Sequence, residues 1–119
     1  MEIFEYINGV CPVGVTVNMV GGKWKIAIIW QLRERTLRFN ELHKALNGMV
    51  SQAVMTNQLR ELEKDGLLHR EIYKEVPPRV EYSLTELGKS FLPIIVEMGK
   101  WGQKLLGNNK IAELVMTNS

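Results

Sequence analysis

The chain has a single cysteine, Cys11, and only two histidines, His43 and His69. One thiol closes no internal disulfide, and this set offers no Cys/His spacing for a structural zinc. Long apolar runs are also missing. The N-terminus Met1-Glu2-Ile3-Phe4-Glu5 starts acidic, without the basic region of a signal peptide, and no segment is apolar for long enough to span a bilayer. A soluble, cytoplasmic protein with no membrane partner is therefore expected. Charge of one sign is scarce as well: 15 Lys and Arg against 13 Asp and Glu leave a net +2. Any affinity for nucleic acid would have to come from a local basic face, not from the sum. No Ser/His/Asp or Cys/His arrangement, Gly-rich phosphate loop or paired carboxylate stands out, so an enzyme, a cofactor and a metal have no support.

What is present is 119 residues with 45% hydrophobic content, enough for one domain over residues 1–119. A chain this short leaves apolar surface that a second copy can cover. Residues 1–12 read as an arm ending at Cys11-Pro12. Val13, Val15, Val17 and Val20 mark a helix of about two turns, closed by Gly21-Gly22. From Lys23 to Arg33, Trp24, Ile26, Ala27, Ile28, Ile29, Trp30 and Leu32 cover almost the whole circumference of a helix, which predicts a scaffold packed on most sides.

Thr36-Leu37-Arg38 reads as a short strand. A helix opening near Asn40 carries Leu42 and Leu46 and ends at Asn47-Gly48, residue types that tolerate positive φ. Ser51 is the N-cap of a longer helix that runs to about Asp65, where Gly66 stops it. At roughly 100° per residue, Met55, Leu59 and Leu62 share an inner stripe, while Ala53, Asn57, Arg60 and Lys64 lie opposite, with Thr56 beside them. Leu67–Glu75 and Val80–Leu84 read as paired strands, and Pro77-Pro78, which cannot donate to a ladder, must occupy the loop between them. Thr85 caps a last helix carrying Leu87, Phe91, Ile94, Ile95, Met98, Trp101 and Leu105, kinked or restarted at Pro93. One more short helix is expected around Ile111, Leu114 and Val115. The order short helix, Gly turn, amphipathic helix, hairpin is the plan of a winged helix-turn-helix. The fold class is mainly α with a small antiparallel β-hairpin (α+β).

That plan leaves one polar helix face and one protruding hairpin unpartnered, both of a size to lie against double-stranded DNA. Ser51, Gln52, Thr56 and Asn57 are short polar side chains able to reach base edges or phosphates, and Arg60 follows them. Lys74 and Arg79 flank the Pro-Pro tip, where they could straddle a phosphate or enter the minor groove. Lys23 and Lys25 at the start of the scaffold helix, and Arg38 before the first helix of the motif, are further phosphate candidates. The competing readings are a solvated surface helix, given Glu61 and Glu63, and a solvated hairpin, given Glu71 and Glu75. A winged helix that binds protein and not DNA is the alternative function. Cys11 is either a packed, inert thiol or a redox sensor in the arm. An aromatic stripe of Phe91, Met98 and Trp101 fits core or dimer contact better than a ligand pocket.

The runs Cys11-Pro12-Val13, Gly21-Gly22-Lys23-Trp24-Lys25, Leu37-Arg38-Phe39-Asn40-Glu41-Leu42, Gln58-Leu59-Arg60-Glu61-Leu62-Glu63, Asp65-Gly66-Leu67 and Val76-Pro77-Pro78-Arg79-Val80-Glu81-Tyr82-Ser83-Leu84-Thr85-Glu86-Leu87-Gly88 closely resemble the HxlR-type winged helix-turn-helix transcriptional regulators of bacteria. The resemblance covers roughly residues 11–103. It implies a homodimer on a palindromic or near-palindromic operator, with N- and C-terminal helices forming the dimer interface near Cys11–Met19 and Phe91–Leu106, residues Val13, Val17, Phe91, Ile95, Met98, Trp101 and Leu105 among them. It places the DNA-reading helix at Ser51–Lys64 and the wing at Lys74–Arg79. It further implies a response to an oxidant, electrophile or small-molecule effector, in some relatives through the cysteine matching Cys11. Relatives that pair it with a second, different cysteine are no guide here. Ala53 stands where family members often carry a basic residue.

Overall fold

The computed structural model describes residues 3–108, Lys110 and Glu113 of the 119-residue chain. Ile111, Leu114 and Val115, where the last short helix is expected, lie outside the described residues. The element order is α1 (Pro12–Val20), α2 (Lys25–Gln31), β1 (Leu37–Arg38), α3 (Phe39–Ala45), α4 (Gln52–Lys64), β2 (Leu68–Tyr73), β3 (Arg79–Leu84), α5 (Glu86–Ser90) and α6 (Leu92–Gly107).

Local chemistry accounts for most boundaries. Pro12 opens α1, where its missing N–H costs nothing. The Gly21 N–H closes it on Val17 O at 2.7 Å, and Gly22 then turns away at a positive φ of 96°. Ser51 Oγ accepts from Val54 N at 3.1 Å to start α4, and Thr85 Oγ1 accepts from Gly88 N at 3.1 Å to start α5. Asn47 and Gly48, both at positive φ, form the turn between α3 and α4. The C-terminal helix restarts at Leu92 with Pro93 in its first turn, one of the two outcomes its sequence allows. The arm is more ordered than its sequence reading: Ile7 and Val10 exchange both backbone hydrogen bonds across Asn8 and Gly9, each at positive φ. Asn-Gly at two left-handed positions is a hairpin-turn signature.

The sheet has three strands in the order β1-β3-β2, all antiparallel. Leu37 lies opposite Tyr82 and Leu68 opposite Leu84, so the short strand before α3 closes the free edge of the hairpin base. The core gathers Ile28, Ile29 and Leu32 after and within α2, Leu42 and Leu46, Met55, Leu59 and Leu62 of α4, and Leu67, Leu68, Leu84 and Phe91.

Two expectations need correction. Helix α2 is shorter than Lys23–Arg33, and although none of its residues is exposed, only Lys25, Ile28 and Ile29 are buried. Its Ile26, Ala27 and Trp30 instead line an open groove of about 770 Å³ against Ile95, Val96 and Gly99 of α6. Phe91, assigned by resemblance to a dimer contact, is 8% exposed and packs in the core, because it sits at the α5–α6 junction where the chain turns inward. Apart from that junction, α6 has no buried residue, and Ile94, Val96, Met98, Trp101 and Leu106 are exposed. The radius of gyration, 16.7 Å, exceeds the about 13.5 Å of a compact domain of this length.

Candidate nucleic-acid interface

Helix α4 presents the most complete polar face. Its inner stripe is fixed by Met55, Leu59 and Leu62, all buried, which sets the rotation of the remaining side chains. Gln52, Asn57 and Arg60 are exposed, and no side-chain hydrogen bond or ion pair within the chain occupies them among the described residues. Ser51 and Thr56 are less free. The Ser51 hydroxyl accepts at the N-cap and keeps its O–H donor, whereas Thr56 Oγ1 donates to Gln52 O at 2.8 Å and retains only accepting capacity. Val54, which the sequence reading passed over, is an exposed apolar group on the N-terminal half of this face, suited to a thymine methyl.

The turn that aims α4 is held by the side chain and backbone of one residue, His43. His43 Nε2 donates to Val50 O at 2.8 Å, its backbone carbonyl accepts from Gly48 N at 3.1 Å, and its ring stacks on Phe39. Only the fold reveals this, since a lone His at that spacing has no distinctive signal.

The basic candidates separate in the structure. Lys25 is not available to a phosphate: its side chain is buried, 6% exposed as a residue, and its Nζ lies 2.6 Å from Glu61 Oε2. This ion pair ties the scaffold helix to α4. Because Glu61 is itself half-exposed, water shares the site, but removal of the carboxylate would still leave an ammonium with little compensation. Lys23 remains exposed, 5.2 Å over the Trp24 ring, and Arg38 is exposed at the start of α3.

In the wing, Lys74 is exposed with no ion pair among the described residues. Arg79 is the wing's structural fastener and not a free cation. Its guanidinium stacks 4.0 Å from the Tyr73 ring, with NH1 3.2 Å from Glu81 and Nε 3.3 Å from Glu75. The Nε–Glu75 approach is close enough for attraction but lacks hydrogen-bond alignment. Arg70 is a basic residue the sequence reading missed. It faces Tyr82 across the hairpin, and its Nε donates to Glu63 of α4 at 3.3 Å. The alternation Leu68, Arg70, Ile72 against Val80, Tyr82, Leu84 could have found it, since both sets share one face.

Cys11 is half-buried at the N-cap of α1, its side chain lying over Gly14. Among the described residues no group of three or more His, Cys, Asp or Glu could hold a metal ion, and no helix is long and apolar enough to cross a membrane.

A recognition-type helix after a tight turn, with a three-stranded wing beside it, defines a winged helix-turn-helix of the DNA-binding, transcription-regulating class. The sequence model of the HxlR-like helix-turn-helix family matches residues 19–110, and the chain belongs to that family. It is similar to the uncharacterized HTH-type transcriptional regulator YdeP of Bacillus subtilis (strain 168), with 51% identity over 94 residues, 79% of this chain and 73% of that protein. Among solved structures it is similar to the redox regulator HypR in its oxidized form, with 46% identity, TM-score 0.73, and 79% of this chain and 96% of that one covered. It is also similar to the HTH-type regulator ytcD, with 40% identity, TM-score 0.77, and 81% and 97% covered. The family comprises transcriptional regulators, not enzymes.

Proposed function

We propose that the protein acts as a homodimer that reads a near-palindromic operator, with α4 in the major groove and the hairpin tip toward the adjacent minor groove. The observation that carries this reading is the set Gln52, Asn57 and Arg60, exposed and unoccupied on one face of a helix whose opposite face is locked into the core. Ser51, with its free O–H, acts as a donor and Thr56 as an acceptor beside them, Lys74 meets the backbone from the wing, and Lys23 and Arg38 add peripheral charge. Arg79 serves by stiffening the wing. The dimer face is the apolar surface of α1 and α6, with Val13 and Val17 from the first and Ile95, Met98, Trp101 and Leu105 from the second. A two-fold axis through that face sets the two α4 helices about one DNA turn apart. The test is affinity for the duplex upstream of its own gene against random duplex.

Cys11 is the residue through which such a dimer would sense an oxidant. Support comes from its half-buried place at the start of the α1 dimer helix and from the likeness to a redox regulator. With a single thiol in the chain, oxidative capture requires the partner's thiol or a small external one. The Cys11→Ser variant is expected to keep DNA binding and lose its oxidant response. An unchanged response in that variant would remove Cys11 from this role.

A further inference from the structure

The major and minor grooves of a duplex are separated by a single sugar-phosphate strand. If α4 lies in one groove and the wing in the next, that strand must cross the space between them. In this protein the space is a cleft of about 340 Å³ lined by Thr56, Leu59, Arg60 and Glu63 of α4 and by Arg70 and Tyr82 of the hairpin.

The cleft is built for an anion. Arg70 and Tyr82 are directly opposite one another in the β2–β3 register, on the face that carries buried Leu68 and Leu84 at its inner end, so both are directed toward α4. Burial raises the pKa of the Tyr82 phenol, which keeps it a hydroxyl donor, and Arg70 and Arg60 are near enough to oppose that rise. Glu63 takes the Arg70 Nε–H at 3.3 Å and leaves the outer nitrogens of the guanidinium available. Two guanidiniums against one carboxylate leave the cleft with one net positive charge.

We propose that this cleft seats one backbone phosphate of the bound duplex, with Arg70, Arg60 and the Tyr82 hydroxyl as donors and Glu63 as the group that aims Arg70. The proposal rests on the placement of α4 and the wing given above. A phosphate carries no base identity, so the seat contributes affinity and register, and its loss weakens every sequence alike.

The experiment is a fluorescence-anisotropy titration of the full chain and its Arg70→Ala, Arg70→Gln and Tyr82→Phe variants against operator and random duplex over a range of salt. Circular dichroism verifies the fold of each variant. Loss of Arg70 should reduce the slope of log K against log salt by about 1 and weaken both duplexes by the same factor. Tyr82→Phe should weaken both without changing the slope. A wild-type salt slope in both folded Arg70 variants overturns the seat while leaving α4 as the DNA-reading helix. A loss confined to the operator overturns it too, since that is the mark of base readout. Absence of duplex binding by the unaltered protein removes the seat together with the reading on which it rests.

Discussion

Gly88→Ala should be severely destabilising, although Gly to Ala inside a helix ordinarily adds about 0.5–1 kcal/mol. Gly88 is the buried residue of α5, and a Cβ there would fall far inside contact distance of the Leu67 carbonyl oxygen and press on the Leu84 side chain. The obstacle is backbone that cannot yield cheaply. The same Leu67 carbonyl accepts from Thr85 N at 3.2 Å, and Thr85 Oγ1 donates to Gly66 O at 2.6 Å, so the start of α5 is pinned to the turn between α4 and β2 at two points. Overpacking against fixed backbone costs on the order of 3 kcal/mol, which lowers the melting temperature by roughly 10–20 °C for a domain of this size. Thermal unfolding followed by circular dichroism measures it. An unchanged or raised midpoint would mean that α5 is free to move away from Leu67.

Arg60→Ala should weaken operator binding by about 1–3 kcal/mol, or roughly 5–150-fold, with little change in stability. Arg60 is exposed, has no ion pair among the described residues, and lies on the α4 face opposite Met55 and Leu62, so the folded chain does not depend on it. It also borders the cleft against the wing, where the proposed seat has it donate to a phosphate, a base edge being the other target within reach of its guanidinium. The two possibilities differ in selectivity. A base contact costs the operator more than random duplex, and a phosphate contact costs both equally. Wild-type affinity for both would exclude Arg60 from the interface.

What the sequence discloses is decided by the range of each interaction. Caps and turns at Ser51, Thr85, Asn47-Gly48 and Gly66 are legible because the chemistry lies within a few residues of itself. The inner stripe of α4 is legible because its period is that of the helix. The role of Lys25 is not legible because its partner, Glu61, is brought to it only by the packing of α2 on α4. Arg79 reads as a free wing cation because its ring partner Tyr73 and the carboxylates of Glu75 and Glu81 converge on it only once the hairpin register is set. Phe91 follows the same helical spacing as exposed Met98 and Trp101, and periodicity alone cannot tell a residue at a helix junction from one on a free face. The unfilled groove between α2 and α6 had no sequence signal either, since apolar residues facing a groove and apolar residues facing a core read alike.

The claim on which the rest depends is that the α4 face reads duplex DNA. Its most direct test is an anisotropy titration of the full chain against duplex from upstream of its own gene, duplexes enriched from a random pool, and an unselected random duplex, each at two salt concentrations. A DNA-reading α4 requires at least one sequence bound on the order of 10³-fold or more above random, with affinity falling steeply as salt rises. No salt-dependent affinity for any of the duplexes would contradict it, and the polar face of α4 would then belong to a protein partner.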